Sequence, residues 1–379
     1  MSIDVDDFLT PVKDAGFDFF SGVPCSFLTP VINRVIGDEG LSYVGAASEG
    51  EAVAIASGAW LAGHKTVVMC QNSGLGNAVN PLTSLNFPFR IPTLMIVTWR
   101  GGPGLTDEPQ HELMGDITPA VLDVIQVPRA AFPAAQGEIS DALSEAQDSM
   151  SQTDLPFAFI MQKGDVNSYK LDAKAPPPAP KGQTEDRREN GAQTTRMAAM
   201  ERMLAVLPDS AAIIATTGFT GRELFTLEDR EQHLYQVGSM GCAAPMGLGV
   251  ALNTDKRVVV IDGDGAAMMK LGALATVGAY APNNLLHIVM DNAAYESTGG
   301  QPTVSASVDF AGVAAACGYK EAFTCDSLNG LEKIISETVS RPGPHLVHMV
   351  IKAGHPDTLG RPTIKPPEVA RRFKDFITS

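Results

Sequence analysis

Short runs of apolar and β-branched residues alternate along this chain with longer stretches whose apolar positions recur at helical spacing. The runs Thr66 to Gln71, Thr93 to Trp99, Phe157 to Gln162, Ala211 to Thr216, Arg257 to Asp262, Leu285 to Met290 and His345 to Ile351 read as strands covered on both faces. Between them the spacing predicts helices over Glu51 to Ala62, Gly137 to Met150, Thr194 to Val206, Ala266 to Tyr280 and Leu328 to Val339. Near-continuous apolar strands separated by helices demand a parallel sheet with helices on both sides. The pattern breaks once, over Lys170 to Gln193, where four prolines and many charges replace any apolar period. The expected organisation is therefore α/β: a doubly wound domain over 1–169, a linker over 170–192 and a second doubly wound domain over 193–379, both sheets mostly parallel. In such sheets a site lies beyond the carboxyl ends of the strands.

Composition narrows the partners. Of 379 residues, 28 are Lys or Arg and 43 are Asp or Glu, a formal charge of -15. A chain so acidic repels phosphate backbones and anionic lipid, which predicts no nucleic-acid and no membrane partner. No apolar run approaches the ~20 residues that span a bilayer. Cys25, Cys70, Cys242, Cys317 and Cys325 are scattered without a C-x-x-C pair, against zinc ribbons and disulfides. With the acidic start MSIDVDD, this predicts a cytoplasmic protein.

The second half carries the sharper chemistry. The strand ending at Asp262 runs into Gly263-Asp264-Gly265 and then a helix; the next strand ends at Asp291-Asn292, so Asn292 lies 28 residues after Asp264. A right-handed β-α-β crossover brings both strand ends to one sheet edge. An Asp carboxylate and an Asn amide oxygen are hard ligands suited to magnesium or calcium. Gly265 and the helix start add backbone N–H groups for a diphosphate. Alone, the GDG would be an ordinary turn with Asp264 as a helix cap.

In combination, GDG followed at this interval by Asn resembles the thiamine-diphosphate enzymes. The resemblance implies thiamine diphosphate and Mg2+ as cofactors, with Asp264, Asn292 and the backbone carbonyl of Ala294 as metal ligands. Asp291 stands where the family usually has a first Asn. Gly263, Asp264, Gly265 and Ala266 would hold the diphosphate. Gly238-Ser239-Met240-Gly241 resembles the segment that keeps the cofactor bent, the Gly238 carbonyl accepting from the 4'-amino group and Met240 wedged between the rings. Without the GDG, Met240 would read as core packing.

In the first half, Ala46 to Gly63 is a turn and a helix with Glu49 and Glu51 at its start, where either carboxylate could serve as a cap. The family's pyrimidine domain has a Glu nine positions before a Gly, and Glu49 with Gly58 keeps that spacing; Glu51 does not. By resemblance Glu49 bonds N1' of the aminopyrimidine and so promotes proton removal at thiazolium C2. Asn72 to Asn80, including Gly74, is similar to the Gly-rich turn beside the pyrimidine. Family sites join domains from two chains, which implies a homodimer at minimum and leaves a higher oligomer open.

The linker cannot hold the middle domain of larger family members. That compactness, with Gly22 to Ser26, Asp107 to His111 and Thr217 to Leu224, resembles the subgroup that decarboxylates 2-oxo acids bearing a phosphonate or a sulfonate. The implied substrate is thus a small anionic 2-oxo acid. Arg100 and Arg222 are candidates for its anion, Arg222 equally readable as a surface ion pair, and Cys25 and Ser26 add uncharged donors. His111, in a loop after a strand, is a candidate to deliver the proton that replaces carbon dioxide. A carboligating enzyme resembling acetolactate synthases, or a non-catalytic cofactor-binding protein, is the alternative.

Overall fold

The computed structural model describes residues 2–172, 177–190 and 194–379. The chain divides into two compact units, Met1–Pro176 and Pro177–Ser379.

Among the described residues the first unit holds β1 (Phe17–Gly22), β2 (Ser42–Gly45), β3 (Lys65–Cys70), β4 (Leu94–Thr98), β5 (Arg129–Ala131) and β6 (Phe157–Met161). They form one parallel sheet in the order β2-β1-β3-β4-β6-β5. Successive side chains of a strand face opposite ways. Val67, Met69, Leu94 and Ile96 accordingly join a core with Phe8, Phe20, Phe132 and Phe159, while Val68, Cys70, Met95 and Val97 join a second core on the other face. Both faces are dry, which is why these strands read as unbroken apolar runs. The second face is covered by the helix Glu49–Leu61, begun by Ser48, whose side chain accepts the Glu51 N–H at 3.4 Å. Ala52, Ala54, Ala56 and Ala59 keep it thin enough to be buried nearly all round.

The second unit holds β7 (Gln183–Asp186), β8 (Ala212–Ala215), β9 (His233–Tyr235), β10 (Val258–Gly263), β11 (Leu285–Asp291), β12 (Ala294–Tyr295), β13 (Gln301–Pro302), β14 (Glu321–Cys325) and β15 (His345–Val350). Its parallel sheet runs β7-β14-β15-β11-β10-β8-β9, and β12 with β13 forms a small antiparallel ribbon. The buried helix Ala243–Ala251 lies on β10; a Cβ at Gly247 would sit 2.3 Å from Val260 Cγ2, so this glycine permits the close approach.

Two expectations need correction. The stretch 170–192 is not wholly a connector: β7 lies inside it and pairs with β14, Gln183 opposite Glu321, with all four side chains exposed. An edge strand bearing QTED has no apolar signal to betray it. Residues 173–176 and 191–192 of that stretch fall outside the described residues. The helix expected over 266–280 is broken at Lys270 and Leu271 into Asp264–Met269 and Gly272–Tyr280. All five cysteines are free, and no helix among the described residues is long and apolar enough to cross a membrane.

Candidate active site

In each sheet the strand order switches direction beside the central strands, between β1 and β3 in the first unit and between β8 and β10 in the second. Loops that diverge at such a point leave a crevice at the carboxyl edge. In the second unit β10 and β11 run parallel with Gly263 opposite Met290, so Asp264 and Asn292 emerge side by side. One pocket is lined by Thr216 to Thr220, Met240, Gly263 to Ala266, Asn292 and Ala294. The second-half residues singled out from sequence thus converge, Gly238 and Ser239 lying just before Met240. Ser239 is buried with φ +53°, a strained conformation for a residue with a Cβ.

The pocket has the chemistry of a cation and diphosphate site. Asp264 is 2% exposed and is bonded by neutral groups, the Thr303 hydroxyl and the Gly265 N–H. Burial, aggravated by the nearby Asp291 carboxylate, pushes Asp264 above the ordinary range for Asp. A divalent cation would reverse that penalty. Asn292 Oδ1 accepts the Ala294 N–H at 3.1 Å, leaving a second lone pair, and Asn292 Nδ2 is buried without a partner. No group of three or more His, Cys, Asp or Glu side chains able to hold a metal occurs among the described residues. A metal here would therefore take one carboxylate, one amide oxygen and a backbone carbonyl, a hard set that fits magnesium. Gly265 has no room for a side chain, since a Cβ would lie 2.3 Å from the Tyr295 ring.

Sequence reasoning missed the charged wall of this pocket. Arg196, 7% exposed, donates to both carboxylate oxygens of Glu223 (3.0 and 3.1 Å) and to Glu296 (2.8 Å). Glu296 also accepts the Gly354 N–H, tying the segment after β15 to the loop that follows Asn292. No motif announces this cluster, because its members come from three elements far apart in sequence. Arg196→Met strips the buried Glu223 and the partly buried Glu296 of their shared cation. We expect a loss of about 3–5 kcal/mol in stability, read by urea unfolding; an unchanged midpoint would mean that the cluster is not held by charge.

In the first unit, the two carboxylates of the Glu49–Leu61 helix have different fates. Glu51 is 1% exposed and turns back to accept the Ala47 N–H at 3.0 Å, so it closes its own helix start. Glu49 is half-buried, accepts from Asn77 Nδ2 at 2.8 Å, and packs so closely on Gly74 that a Cβ there would lie 2.0 Å from Glu49 Oε1. Gly74 thus makes room for Glu49.

The anion candidates are less available than their sequence suggests. Arg100 forks onto Asp107 through Nε (2.9 Å) and Nη2 (2.5 Å), which holds Asp107 well below the usual carboxylate range. Its remaining Nη1 carries no hydrogen bond, and the guanidinium lies over the Phe27 ring. Arg222 is not a surface ion pair: it donates to the carbonyls of Leu359 (3.0 Å) and Gly360 (3.1 Å). Cys25 is buried with its thiol on Gln71 (3.2 Å), whereas Ser26 is exposed. His111 is 5% exposed and its Nδ1 has no partner; Gly101, at φ +68°, abuts the His111 carbonyl with no space for a Cβ. His287, read from sequence as a packed strand residue, is buried between Asp262 (3.0 Å) and Tyr319 (3.3 Å).

Comparison with known proteins identifies the family. Residues 5–119 match the family described as thiamine pyrophosphate enzyme, N-terminal TPP binding domain, and residues 215–349 match its C-terminal TPP binding domain. The chain is 49% identical over 376 residues to a phosphonopyruvate decarboxylase of Streptomyces viridochromogenes, covering 98% of this chain and 94% of that one. It is 28% identical over 378 residues to a sulfopyruvate decarboxylase of Methanosarcina acetivorans, covering 97% and 95%. A solved putative thiamin diphosphate-dependent enzyme from Mycobacterium smegmatis shares the fold, with a TM-score of 0.72 at 16% identity over 93% of this chain and 100% of that one. From both matched domains and the near full-length relative, the chain belongs to the thiamine pyrophosphate enzymes, in the family of the phosphonopyruvate decarboxylases.

Proposed function

We propose that this protein decarboxylates 3-phosphonopyruvate to phosphonoacetaldehyde and carbon dioxide, using thiamine diphosphate and Mg2+, as a step of phosphonate biosynthesis. The observation that carries the reading is the 49% identity to a phosphonopyruvate decarboxylase across 98% of the chain, together with a pocket whose donors fit a metal diphosphate. Asp264, Asn292 and the Ala294 carbonyl would hold the metal. Gly263, Gly265 and Ala266 would offer the diphosphate backbone N–H groups, and Gly238 to Met240 would support the rest of the cofactor. Thiamine diphosphate, when bound, supplies the carbon nucleophile and the electron sink that side chains lack.

Glu49 would hold a proton at the pyrimidine of the bound cofactor, and its carboxyl is aimed by Asn77 and by the gap at Gly74. His111 keeps one ring nitrogen unengaged and can pass a proton to the carbon that loses carbon dioxide. Since the protein's overall field repels an anion, the phosphonate needs local donors. Arg100, pre-oriented by Asp107, offers Nη1, and the Cys25–Ser26 turn adds uncharged groups. Arg222, its Nε and Nη2 committed to carbonyls, positions the segment after β15. The homodimer, with each site shared between subunits, rests on the resemblance to family members whose sites join domains from two chains.

The test is aldehyde release from phosphonopyruvate, sulfopyruvate and pyruvate with both cofactors supplied. We expect kcat/KM for pyruvate to be about 10⁴-fold lower, because a site built for a charged group is left unpaired. A preference for sulfopyruvate would move the assignment to the more distant relative's reaction, and a preference for pyruvate would overturn the anion site.

A further inference from the structure

A line of hydrogen bonds links Asp264 to His348 on β15 by way of residues 303–305 and Asp291. Thr303 Oγ1 lies 2.5 Å from Asp264 Oδ2, and Ser305 Oγ lies 2.9 Å from Asp291 Oδ1. The two hydroxyl oxygens are 3.0 Å apart. Each has a single proton, and a carboxylate is the stronger acceptor, so both protons point to Asp side chains. The Ser305 N–H then faces Thr303 Oγ1 at 3.4 Å and keeps the pair joined. At the far end Asp291 Oδ2 is 2.9 Å from His348 Nε2, and an acceptor-only carboxylate calls for a proton on that nitrogen.

Every link bears on a metal ligand. Asp291 Oδ1 accepts the Ala293 N–H at 2.9 Å, and the Ala293 carbonyl accepts the Thr303 N–H at 3.0 Å. These two bonds hold Ala293 at φ +57°, a conformation an alanine does not adopt unaided, and that turn presents Asn292 and the Ala294 carbonyl. The middle of the line is buried, with Ser305 2% and Asp291 8% exposed. Two buried carboxylates near one another repel, so without fixed donors Asp264 would swing away from its ligand position.

We propose that Thr303, Ser305, Asp291 and His348 are positioning residues that set Asp264 and Asn292 in metal-binding geometry, with His348 anchoring the line. This deepens the reading of Asp264 and Asn292 as ligands and rests on it. His348 borders a cavity of about 720 Å³, which leaves room for a small molecule to replace a deleted imidazole.

The test titrates Mn2+ into the full chain with thiamine diphosphate and no substrate, following the free-ion signal by electron paramagnetic resonance. We expect His348→Ala and Ser305→Ala each to weaken Mn2+ binding about 10–100-fold. His348→Gln, whose amide can still donate to Asp291, should stay within about threefold of wild type. Added imidazole should restore His348→Ala, and kcat at saturating metal should hold while the metal needed for half activity rises. Unchanged Mn2+ affinity in the alanine variants overturns the proposal, as does equal loss in His348→Gln and His348→Ala. Ser305→Ala changes little volume and keeps the test valid if the His348 variants misfold. Undiminished Mn2+ binding in Asp264→Asn would overturn the metal assignment itself, and this inference with it.

Discussion

Glu49→Ala should lower decarboxylation about 10²–10⁴-fold, the range associated with losing a placed acid–base group. The structure says why the fold should survive. The helix start is closed by Ser48 and Glu51, not by Glu49, whose one hydrogen-bond partner is the Asn77 side chain. Metal and diphosphate binding should stay near wild type, since those donors lie on the other unit. Glu51→Ala gives the contrast: it removes the buried Glu51 carboxylate that accepts the Ala47 N–H and should show as lost stability. Aldehyde production and cofactor titration on the same samples separate the two variants. Full activity in Glu49→Ala would remove Glu49 from the mechanism.

Asp264→Asn should weaken Mg2+-dependent cofactor binding by more than about 100-fold, because even partners of ligands cost 10–100-fold. The substitution keeps the side chain's size and its bond with Thr303 while removing the one charge that the proposed ligand set offers the metal. Mixing this variant with Glu49→Ala also tests the shared site. If each site takes Glu49 from one subunit and Asp264 from the other, exchanged dimers should recover about a quarter of wild-type activity. No recovery after demonstrated subunit exchange would place both residues' work within one chain.

Much of this was legible in the sequence because it depends on local order. Buried parallel strands such as Leu94–Thr98 announce themselves through unbroken apolar runs, and Asp264 with Asn292 follows from a crossover whose handedness is fixed. The family resemblance, the 49% identity and the matched domains then point to the same cofactor. Short or exposed strands such as β5 and β7 were invisible, having too few buried positions to set a period. Thr303, Ser305 and His348 gave no signal either, since polar residues joined only by tertiary folding have no characteristic spacing. Arg100 was legible only in part. Its charge suggested an open anion donor, yet Asp107, seven residues on, occupies most of that fork. Where Glu49 and Glu51 competed, burial and the Ala47 bond distinguish them.

The edge position of β7 matters to anyone who wants the halves as separate expressed fragments. Severing the polypeptide at 192, where charge and proline content fade, would take Gln183–Asp186 away with the wrong partner and leave β14 as a bare sheet margin. Unpaired backbone of that kind recruits other chains and precipitates. A break between Pro176 and Pro177 keeps β7 in place and gives each fragment its whole sheet.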